Sequence, residues 1–193
     1  MAYHCKTLPS PVGVLTLVAS DKGLAAILWE VERPNRVRLG TLTPVESHPV
    51  LDETARQLTD YFAGKRQCFD LPLDFVGTAF QQKVWQALLT IPFGQTRTYS
   101  QIAAQIGHPT AVRAVGAANG RNPISIVAPC HRVIGASGEL TGFAGGLLAK
   151  QVLLTVEYAE GAVALGAGTP GTPGKRSKWV TAERAKMQPS LDF

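Results

Sequence analysis

The apolar residues in the first part of the chain recur in short, loosely alternating runs that are typical of strands. Residues 12–19 alternate loosely in valine, leucine and threonine, and residues 24–29 form a second apolar run after a turn at residues 21–23. Residues 33–40 contain a proline and an asparagine and are expected to form an exposed loop or a short helix. The pattern predicts a small antiparallel sheet at the start of the chain.

After residue 47 the spacing of the apolar residues changes to that of a helix. One predicted helical face carries residues spaced by four: Val50, Thr54, Leu58 and Phe62. Ser47 is expected to cap the start of this helix and Gly64 its end. Together with the extended segment 69–75, the sheet and the helix predict an α/β N-terminal domain over residues 1–75.

Residues 78–119 show three helical segments separated by turn residues. The first begins at Thr78, the second covers residues 101–106 and stops at Gly107, and Thr110 is expected to cap the third. Two short helices joined by a tight glycine-containing turn are typical of a helix-turn-helix. We therefore predict a mainly α, winged-helix-like C-terminal domain over residues 76–158.

The third of these helices has an unusual composition. Val112 and Val115 can face the core, whereas the other side carries small residues and one long cation, Arg113. The small residues are Ala111, Ala114, Ala117 and Ala118. A helix that reads the major groove usually carries several polar side chains for base edges, so this bare face suits a close backbone approach instead.

An apolar run at residues 124–128 is predicted to be a buried strand, which Pro129 ends because proline cannot donate to a sheet. Cys130 would then lie where a rigid element stops, both fixed and reachable. The alternative is that Cys130 is a small buried hydrophobic residue. His131 follows directly, and neighbours on an extended chain point to opposite faces, so we do not predict a direct Cys–His pair.

The last predicted helix covers residues 147–157. Leu148, Val152 and Val156 form its apolar stripe, and Glu157 is expected at its C-terminal end. Residues 161–174 are rich in Gly, Ala, Thr and Pro, which is linker composition, and residues 159–193 are therefore predicted to be a linker-like tail.

Composition and charge narrow the function. No apolar run approaches the ~20 residues of a membrane span, and the start of the chain does not resemble a signal peptide. Three cysteines without a paired Cys/His spacing predict a cytoplasmic protein with neither disulfides nor a metal site. Residues 1–75 hold 8 Lys and Arg against 9 Asp and Glu, whereas residues 76–158 hold 6 against 2. The basic excess favours nucleic acid as a partner of the second region.

Three segments together carry a resemblance to a known family: Asn122-Pro123, Pro129-Cys130-His131-Arg132-Val133 and Gly145-Gly146. They resemble the O6-alkylguanine-DNA alkyltransferases, also called methylated-DNA–protein-cysteine methyltransferases, over about residues 78–157 and more weakly over the preceding domain. The resemblance implies direct-reversal DNA repair by a monomer that needs no cofactor. The alkyl group of O6-alkylguanine in double-stranded DNA, with O4-alkylthymine as a second candidate substrate, would pass irreversibly to Cys130 in a single turnover.

The resemblance also implies roles for the reacting groups. Displacement at a saturated carbon needs a thiolate, and a free cysteine has a pKa near ~8.5, so surroundings that lower the pKa of Cys130 are expected. The family relay runs from the thiol through water to a histidine and a glutamate, which match His131 and Glu157. Tyr99 matches the tyrosine that gives a proton or a hydrogen bond to the leaving base. Without the resemblance, Glu157 would be interpreted as an exposed helix-end carboxylate and Tyr99 as packing.

Further matches concern the pocket and the DNA. Asn122 matches an asparagine that braces the site, and the backbone of Cys130 and Val133 matches positions that read the guanine edge. Phe143, Ala144 and Gly145 would line the pocket, although the family usually carries tyrosine at the first of these and some members serine at the second. The resemblance implies minor-groove docking through a set of five residues: Ala111, Arg113, Ala114, Ala118 and Arg132. Arg113 would enter the base stack, with a simple phosphate contact as the alternative.

Two rival functions stay open at this point. A cysteine hydrolase would turn over many times and would need an oxyanion hole and a separate histidine. A DNA-binding regulator or a lesion-binding protein would lack transfer activity, and Cys130 argues against it.

The last six residues suggest a partner. Gln188, Leu191 and Phe193 resemble the hexapeptide by which bacterial replication and repair proteins hold the sliding clamp. Two apolar anchors at the end of a tether would raise the concentration of the repair domain near DNA. The alternative is a frayed terminus with incidental apolar residues.

Overall fold

The computed structural model describes residues 2–164 of the chain. The N-terminal domain contains four strands and one helix: β1 (Tyr3–Ser10), β2 (Gly13–Ser20), β3 (Gly23–Trp29), β4 (Leu42–Pro44) and α1 (Pro49–Phe62). The strands form one sheet in the order β3-β2-β1-β4. The β1–β2 and β2–β3 pairs are antiparallel, but β4 runs parallel to β1. The predicted antiparallel strands at residues 12–19 and 24–29 are confirmed as β2 and β3, whereas β1 and the parallel strand β4 had not been predicted.

Helix α1 differs from the prediction in its cap and its buried face. Its N-cap is His48 rather than Ser47, and Asp52 in the first turn accepts hydrogen bonds from Ser47 Oγ and His48 N. Its buried residues are Leu51, Thr54, Gln57, Leu58 and Tyr61, so the face is rotated away from Val50 and Phe62. Gly64 ends the helix with a φ of 72°, as glycine does at this position.

The connection from α1 to the second domain is bound to the sheet. Leu24 N donates to Pro72 O at 2.8 Å, and Asp74 N donates to Leu24 O at 2.8 Å. A Cβ at Gly23 would lie 2.4 Å from Pro72 O, so only glycine allows this approach. Further along the same strand, Ile27 N donates to Pro123 O at 2.9 Å. Both the connector and the segment before Cys130 therefore lie along β3.

The C-terminal domain is mainly helical. It contains α2 (Ala79–Leu89), β5 (Arg97–Thr98), α3 (Tyr99–Gln105), α4 (Val112–Gly120), a 3-10 helix (Cys130–Arg132), β6 (Val133–Ile134) and α5 (Gly146–Ala164). Strands β5 and β6 pair in parallel. Thr78 caps α2 as predicted, whereas α4 has Ala111 rather than Thr110 at its N-cap and no side-chain cap.

The segment before Cys130 is a buried turn and not the predicted strand. Ile124 makes a single bridge to Ile27, and the chain then turns so that Val127 N donates to Ser125 O. Ile126 has a φ of 74°, which is rare for a β-branched residue. The apolar composition of residues 124–128 correctly indicated burial, but burial alone does not require an extended backbone.

Helix α5 also differs from its prediction. Glu157 lies inside this helix, which continues to Ala164. Leu148 is 80% exposed, and between residues 146 and 158 the buried positions are Ala149, Lys150, Leu153, Leu154 and Glu157. Of the predicted stripe, Val156 packs against the core but Leu148 faces solvent, because the buried side of the helix includes the two charged residues Lys150 and Glu157.

The two domains share one hydrophobic core. Its buried residues include Leu17 and Leu58 from the first domain and Leu88, Ile124 and Leu153 from the second. The Trp29 and Phe143 rings meet edge to face with their centroids 5.3 Å apart, which joins β3 to the loop before α5. Among residues 2–164, no helix is long and apolar enough to cross a membrane.

Candidate active site

Cys130 is the first residue of the 3-10 helix, and its side chain is enclosed. The residue is 2% exposed, its backbone N donates to Ala128 O at 2.8 Å, and its Sγ lies 4.0 Å from Ser125 Oγ. The thiol is therefore fixed, as predicted. In this conformation the thiol is closed to solvent, so the prediction that it would also be reachable is wrong.

The pKa of Cys130 is raised and not lowered. Burial is the largest cause, and it outweighs the opposing effects of hydrogen bonds with Asn122 and Ser125 and of the positive charges of Arg36 and Lys150. The thiol accordingly keeps its proton at neutral pH. A reaction at this sulfur needs a group that removes the proton.

Asn122 braces the turn before Cys130. Its Nδ2 donates to Ala128 O at 2.7 Å, and its Oδ1 accepts from Ile124 N at 3.1 Å. Both ends of the turn are thus joined to one buried side chain.

Arg36 reaches the same turn from the N-terminal domain. Its guanidinium donates to Asn122 O, to Ser125 Oγ at 3.4 Å and to Ile27 O at 2.9 Å. Glu32 balances its charge through an ion pair. Sequence reasoning missed Arg36, because it lies in a polar loop with two other arginines and nothing in that loop marks the one that is buried.

Glu157 is the centre of a second group of buried polar residues, which we call the Glu157 cluster: Tyr61, Gly94, His131, Arg132 and Glu157. Its Oε1 accepts from His131 Nε2 at 2.7 Å, from Tyr61 OH at 2.8 Å and from Arg132 Nη2 at 2.9 Å. Its Oε2 accepts from Arg132 Nε at 2.8 Å and from Gly94 N at 3.3 Å. The carboxylate is therefore fully hydrogen-bonded without any contact with solvent.

The electrostatics of the cluster fix its protonation. Burial by itself would raise the pKa of Glu157, but His131 and Arg132 outweigh it and lower this pKa to about 2. Burial also lowers the pKa of His131, against the opposing effect of Glu157. The stable arrangement is an ionised carboxylate, a charged Arg132 and a neutral imidazole.

This protonation state assigns the two ring nitrogens of His131. An ionised carboxylate only accepts hydrogen bonds, so Nε2 carries the hydrogen and Nδ1 is the acceptor. Nδ1 is buried and has no hydrogen-bond partner among the described residues. The ring of His131 can therefore accept a proton at Nδ1 while Glu157 holds its other side.

Two residues predicted to contact DNA are turned inward. Arg132 is buried, and its guanidinium donates hydrogen bonds to Glu157 and to Ile91 O. Its positive charge is therefore paired inside the protein and does not face DNA. Ala118 is buried as well, and its carbonyl accepts from Trp85 Nε1 at 2.8 Å. Their assignment to the DNA surface is corrected by these contacts. Arg113 and Ala114 are exposed on α4, and Ala111 is half-buried.

Lys150 holds the loop that follows Cys130. Its Nζ donates to Val133 O at 2.7 Å and to Thr141 O at 3.0 Å, which joins the two ends of the loop. Burial lowers the pKa of Lys150 to about 8. Nothing in the pattern of residues distinguishes this lysine, since a lysine on a predicted helix is usually exposed.

The other residues that are predicted to line the pocket or contact the base lie around this loop. Tyr99 is half-buried beside Gly116, and its OH accepts from Thr141 Oγ1 at 3.2 Å. Phe143 and Ala144 are buried, and the Phe143 ring lies 6.5 Å from the His131 ring, centroid to centroid. A Cβ at position 145 would lie 2.6 Å from the Trp29 ring, so Gly145 cannot be replaced without moving that ring.

Other predicted features fall outside this site. Within residues 2–164, no three His, Cys, Asp or Glu side chains are grouped so that they could hold a metal ion. Gln188, Leu191 and Phe193, the predicted clamp-binding residues, lie outside the described residues.

Comparison with known proteins finds relatives over both domains. Two family descriptions match: the ribonuclease-like domain of 6-O-methylguanine DNA methyltransferase over residues 3–75 and the DNA binding domain of the same family over residues 79–159. The methylated-DNA–protein-cysteine methyltransferase of Mycobacterium tuberculosis is 51% identical over 156 residues, which are 80% of this chain and 92% of that protein. The protein of the same name from Methanosarcina barkeri is 48% identical over 78% of this chain and 94% of its own.

A solved structure has a similar fold. The crystal structure of Mycobacterium tuberculosis OGT in complex with DNA superposes with a TM-score of 0.74 and 48% identity. The match covers 83% of this chain and 94% of that chain.

Proposed function

Because the chain belongs to the 6-O-methylguanine DNA methyltransferase family, we propose that Cys130 is the residue that accepts the alkyl group. The protein performs direct-reversal DNA repair, in which an alkyl group on O6 of guanine is transferred to a cysteine of the protein. The observation that supports Cys130 is its position next to His131, whose ring has a free acceptor nitrogen and is held by Glu157.

The reaction requires a proton to leave the thiol as the sulfur attacks. In the proposed path, a water molecule passes the Cys130 proton to Nδ1 of His131, and the sulfur displaces the alkyl carbon from O6. A C–S bond forms and the C–O6 bond breaks. The guanine that leaves takes a proton from Tyr99 or water, and the thiol proton held by His131 is afterwards returned to water, so no net proton is gained or lost. The raised pKa of Cys130 makes this base assistance necessary. The product is a thioether, which has no easy chemical exit, so each chain reacts once.

Tyr99 is the proposed donor to the leaving guanine. Negative charge develops on the base as the bond breaks, and a phenolic hydroxyl can stabilise it. The hydroxyl of Tyr99 lies at the loop that carries Thr141, close in sequence to the pocket residue Phe143.

DNA is bound, in this proposal, by α3 and α4 as a helix-turn-helix. The turn between them passes through Gly107, whose φ of 79° allows the chain to reverse tightly. The exposed part of α4 carries Ala114, Ala117 and Arg113, which suits a close approach to the minor groove with Arg113 entering the base stack. The DNA complex of the Mycobacterium tuberculosis relative supports a DNA partner.

Mass spectrometry tests the alkyl acceptor. After incubation with DNA that contains O6-methylguanine, the intact chain should gain one methyl group and then stop. Cys130→Ser should gain none and keep most of its DNA affinity, whereas Cys68→Ser, at an exposed cysteine, should react like the unchanged protein. Methyl uptake by Cys130→Ser would reject the assignment, and release of many methyl groups per chain would favour a cysteine hydrolase.

The sequence predictions that concern organisation are part of the same proposal. The protein would be a cytoplasmic monomer with domains at residues 1–75 and 76–158, and residues 159–193 would tether a clamp-binding end. Sliding clamp from the same organism should retain the full chain but release the Leu191→Ala, Phe193→Ala double variant. Equal retention of both would exclude the clamp-binding end and leave the alkyl transfer unaffected.

A further inference from the structure

Tyr61 crosses from the N-terminal domain into the Glu157 cluster. It lies on α1, is fully buried, and its OH donates to Glu157 Oε1 at 2.8 Å across 96 positions of sequence. The ring packs against Phe69 and Phe93 with centroid separations of 5.4 and 6.2 Å. The hydroxyl therefore has a fixed position relative to the carboxylate.

The oxygen that Tyr61 contacts is also the oxygen that holds His131. Oε1 accepts from Tyr61, from His131 Nε2 and from Arg132 Nη2, which is more than the two lone pairs of one oxygen supply ideally. Burial and the negative charge of Glu157 raise the pKa of Tyr61, so its phenol stays protonated and always donates. A permanent donor at Oε1 limits both the rotation of the carboxylate and the negative charge that it offers to His131.

We propose that Tyr61 is a positioning residue for alkyl transfer, whose hydroxyl orients Glu157 so that Nδ1 of His131 stays a free acceptor. This proposal rests on the proposed function only for its effect on reaction rate. The orientation of the His131 ring is a property of the protein without DNA and can be measured separately.

The expected effect of removing the hydroxyl follows from the charges around the ring. The charged groups that act on His131 are Glu157 and Lys150 of α5 and Arg132 of the 3-10 helix, and Tyr61 acts on it through Glu157. Without the hydroxyl, Oε1 has more negative charge free to stabilise a protonated ring. His131 would then take up a proton at higher pH and could not accept one from the thiol.

The test compares Tyr61→Phe with Tyr3→Phe. Both changes delete one tyrosine hydroxyl from the same domain, but Tyr3 packs in a separate small cluster with Val18 and Ala26. For Tyr61→Phe, the single-turnover rate at pH 7 should fall about five- to tenfold, which corresponds to one hydrogen bond of ~1 kcal/mol. The acidic limb of the pH–rate profile should move to higher pH, with O6-methylguanine DNA and with a free O6-alkylguanine base alike.

A spectroscopic readout separates positioning from packing. The ring ¹⁵N shifts of His131 in the unchanged protein should show hydrogen on Nε2, and in Tyr61→Phe they should move towards a mixture of forms. Tyr3→Phe should leave the pH profile and the ¹⁵N shifts as they are.

Two results would overturn the role of Tyr61. One is a Tyr61→Phe protein that has only lower stability, with an unchanged pH profile and unchanged ¹⁵N shifts. The other is an unchanged protein whose His131 carries its hydrogen on Nδ1, a result that needs no variant. Failure of the unchanged protein to take up alkyl groups would instead reject the proposed function, and the ¹⁵N comparison would still report on Tyr61.

Discussion

The Glu157 cluster and the exposed side of α4 lie in the same small protein but differ in burial and in the pairing of their charges. In the cluster, each polar group of Glu157 and Arg132 has a hydrogen-bond partner. The negative charge of Glu157 is balanced by the positive charge of Arg132, and both residues are buried. On α4, the exposed positions carry small side chains and the single cation Arg113. A change in the cluster should therefore alter folding and chemistry together, whereas a change on α4 should alter only the response to DNA.

The largest expected effect comes from removing the counter-charge of Glu157. Arg132→Met leaves a buried carboxylate without its cation, so the free energy of unfolding should fall by about 3–5 kcal/mol. Urea unfolding measures the loss. Arg113→Met, at an exposed arginine on α4, is the matched control and should change stability by less than about 0.5 kcal/mol. Equal losses of unfolding free energy in the two variants would contradict the expected difference between the Glu157 cluster and α4.

Acid should act on the cluster through Glu157. Its folded-state pKa of about 2 lies below the ordinary value of 4.5, so its contribution to stability is complete above pH 4.5 and disappears as the pH falls towards 2. The size of this contribution is about 3 kcal/mol. Because Asp52 and Glu53 also have lowered pKa values, the measurement is the difference between the unchanged protein and Glu157→Gln. A difference that stays constant from pH 5 to pH 2 would contradict the assignment.

On α4, the sharpest test is the substrate dependence of Arg113→Ala. A base must leave the duplex before it reacts, at a cost of a few kcal/mol, and Arg113 is proposed to fill the gap. Repair of duplex DNA should slow by roughly tenfold or more, while reaction with a free O6-alkylguanine base should be unchanged. Arg121→Ala, at an exposed arginine just after α4, should affect neither substrate. The stacking role is rejected if Arg113→Ala slows both substrates equally.

The smallest expected effect belongs to Tyr99, which lies beside Gly116 of α4. Tyr99→Phe removes the proposed donor to the leaving guanine, so both substrates should react about fivefold more slowly, as for one lost hydrogen bond. Single-turnover rates with duplex DNA and with free base measure this. Full activity on the free base would mean that Tyr99 only packs against Gly116 or positions the DNA.

Sequence reasoning worked best where the information is local. The segments around Asn122, Cys130 and Gly145 pointed to the family, and the comparisons confirm it. The start of α2 at Thr78 and the end of α1 at Gly64 were also predicted, because each depends on neighbours a few residues away, whereas the caps predicted at Ser47 and Thr110 were each off by one residue. The structure brings His131 and Glu157 into contact, although their catalytic roles stay predictions.

What the sequence could not predict depends on partners that are distant along the chain. Tyr61 donates a hydrogen bond to Glu157, which is 96 positions further along the chain, and Arg36 donates one to Ser125, which is 89 positions further. The resemblance placed Arg132 on the DNA, but its guanidinium is bound inside the protein by the buried carboxylate of Glu157, which lies 25 positions away. The same carboxylate explains why the predicted stripe on α5 is wrong at Leu148, since a charged residue with partners can take a core position.

The way in which β3 is covered has a consequence for aggregation. A strand at the end of a sheet presents N–H and C=O groups that can pair with another molecule. Here the backbone of Leu24 and Ile27 is already bonded to the connector and to the turn that leads into Cys130. Opening of that turn would uncover part of the strand. Protein that loses its packing around Cys130 is therefore expected to self-associate through β3, which light scattering on unfolded-turn variants would detect.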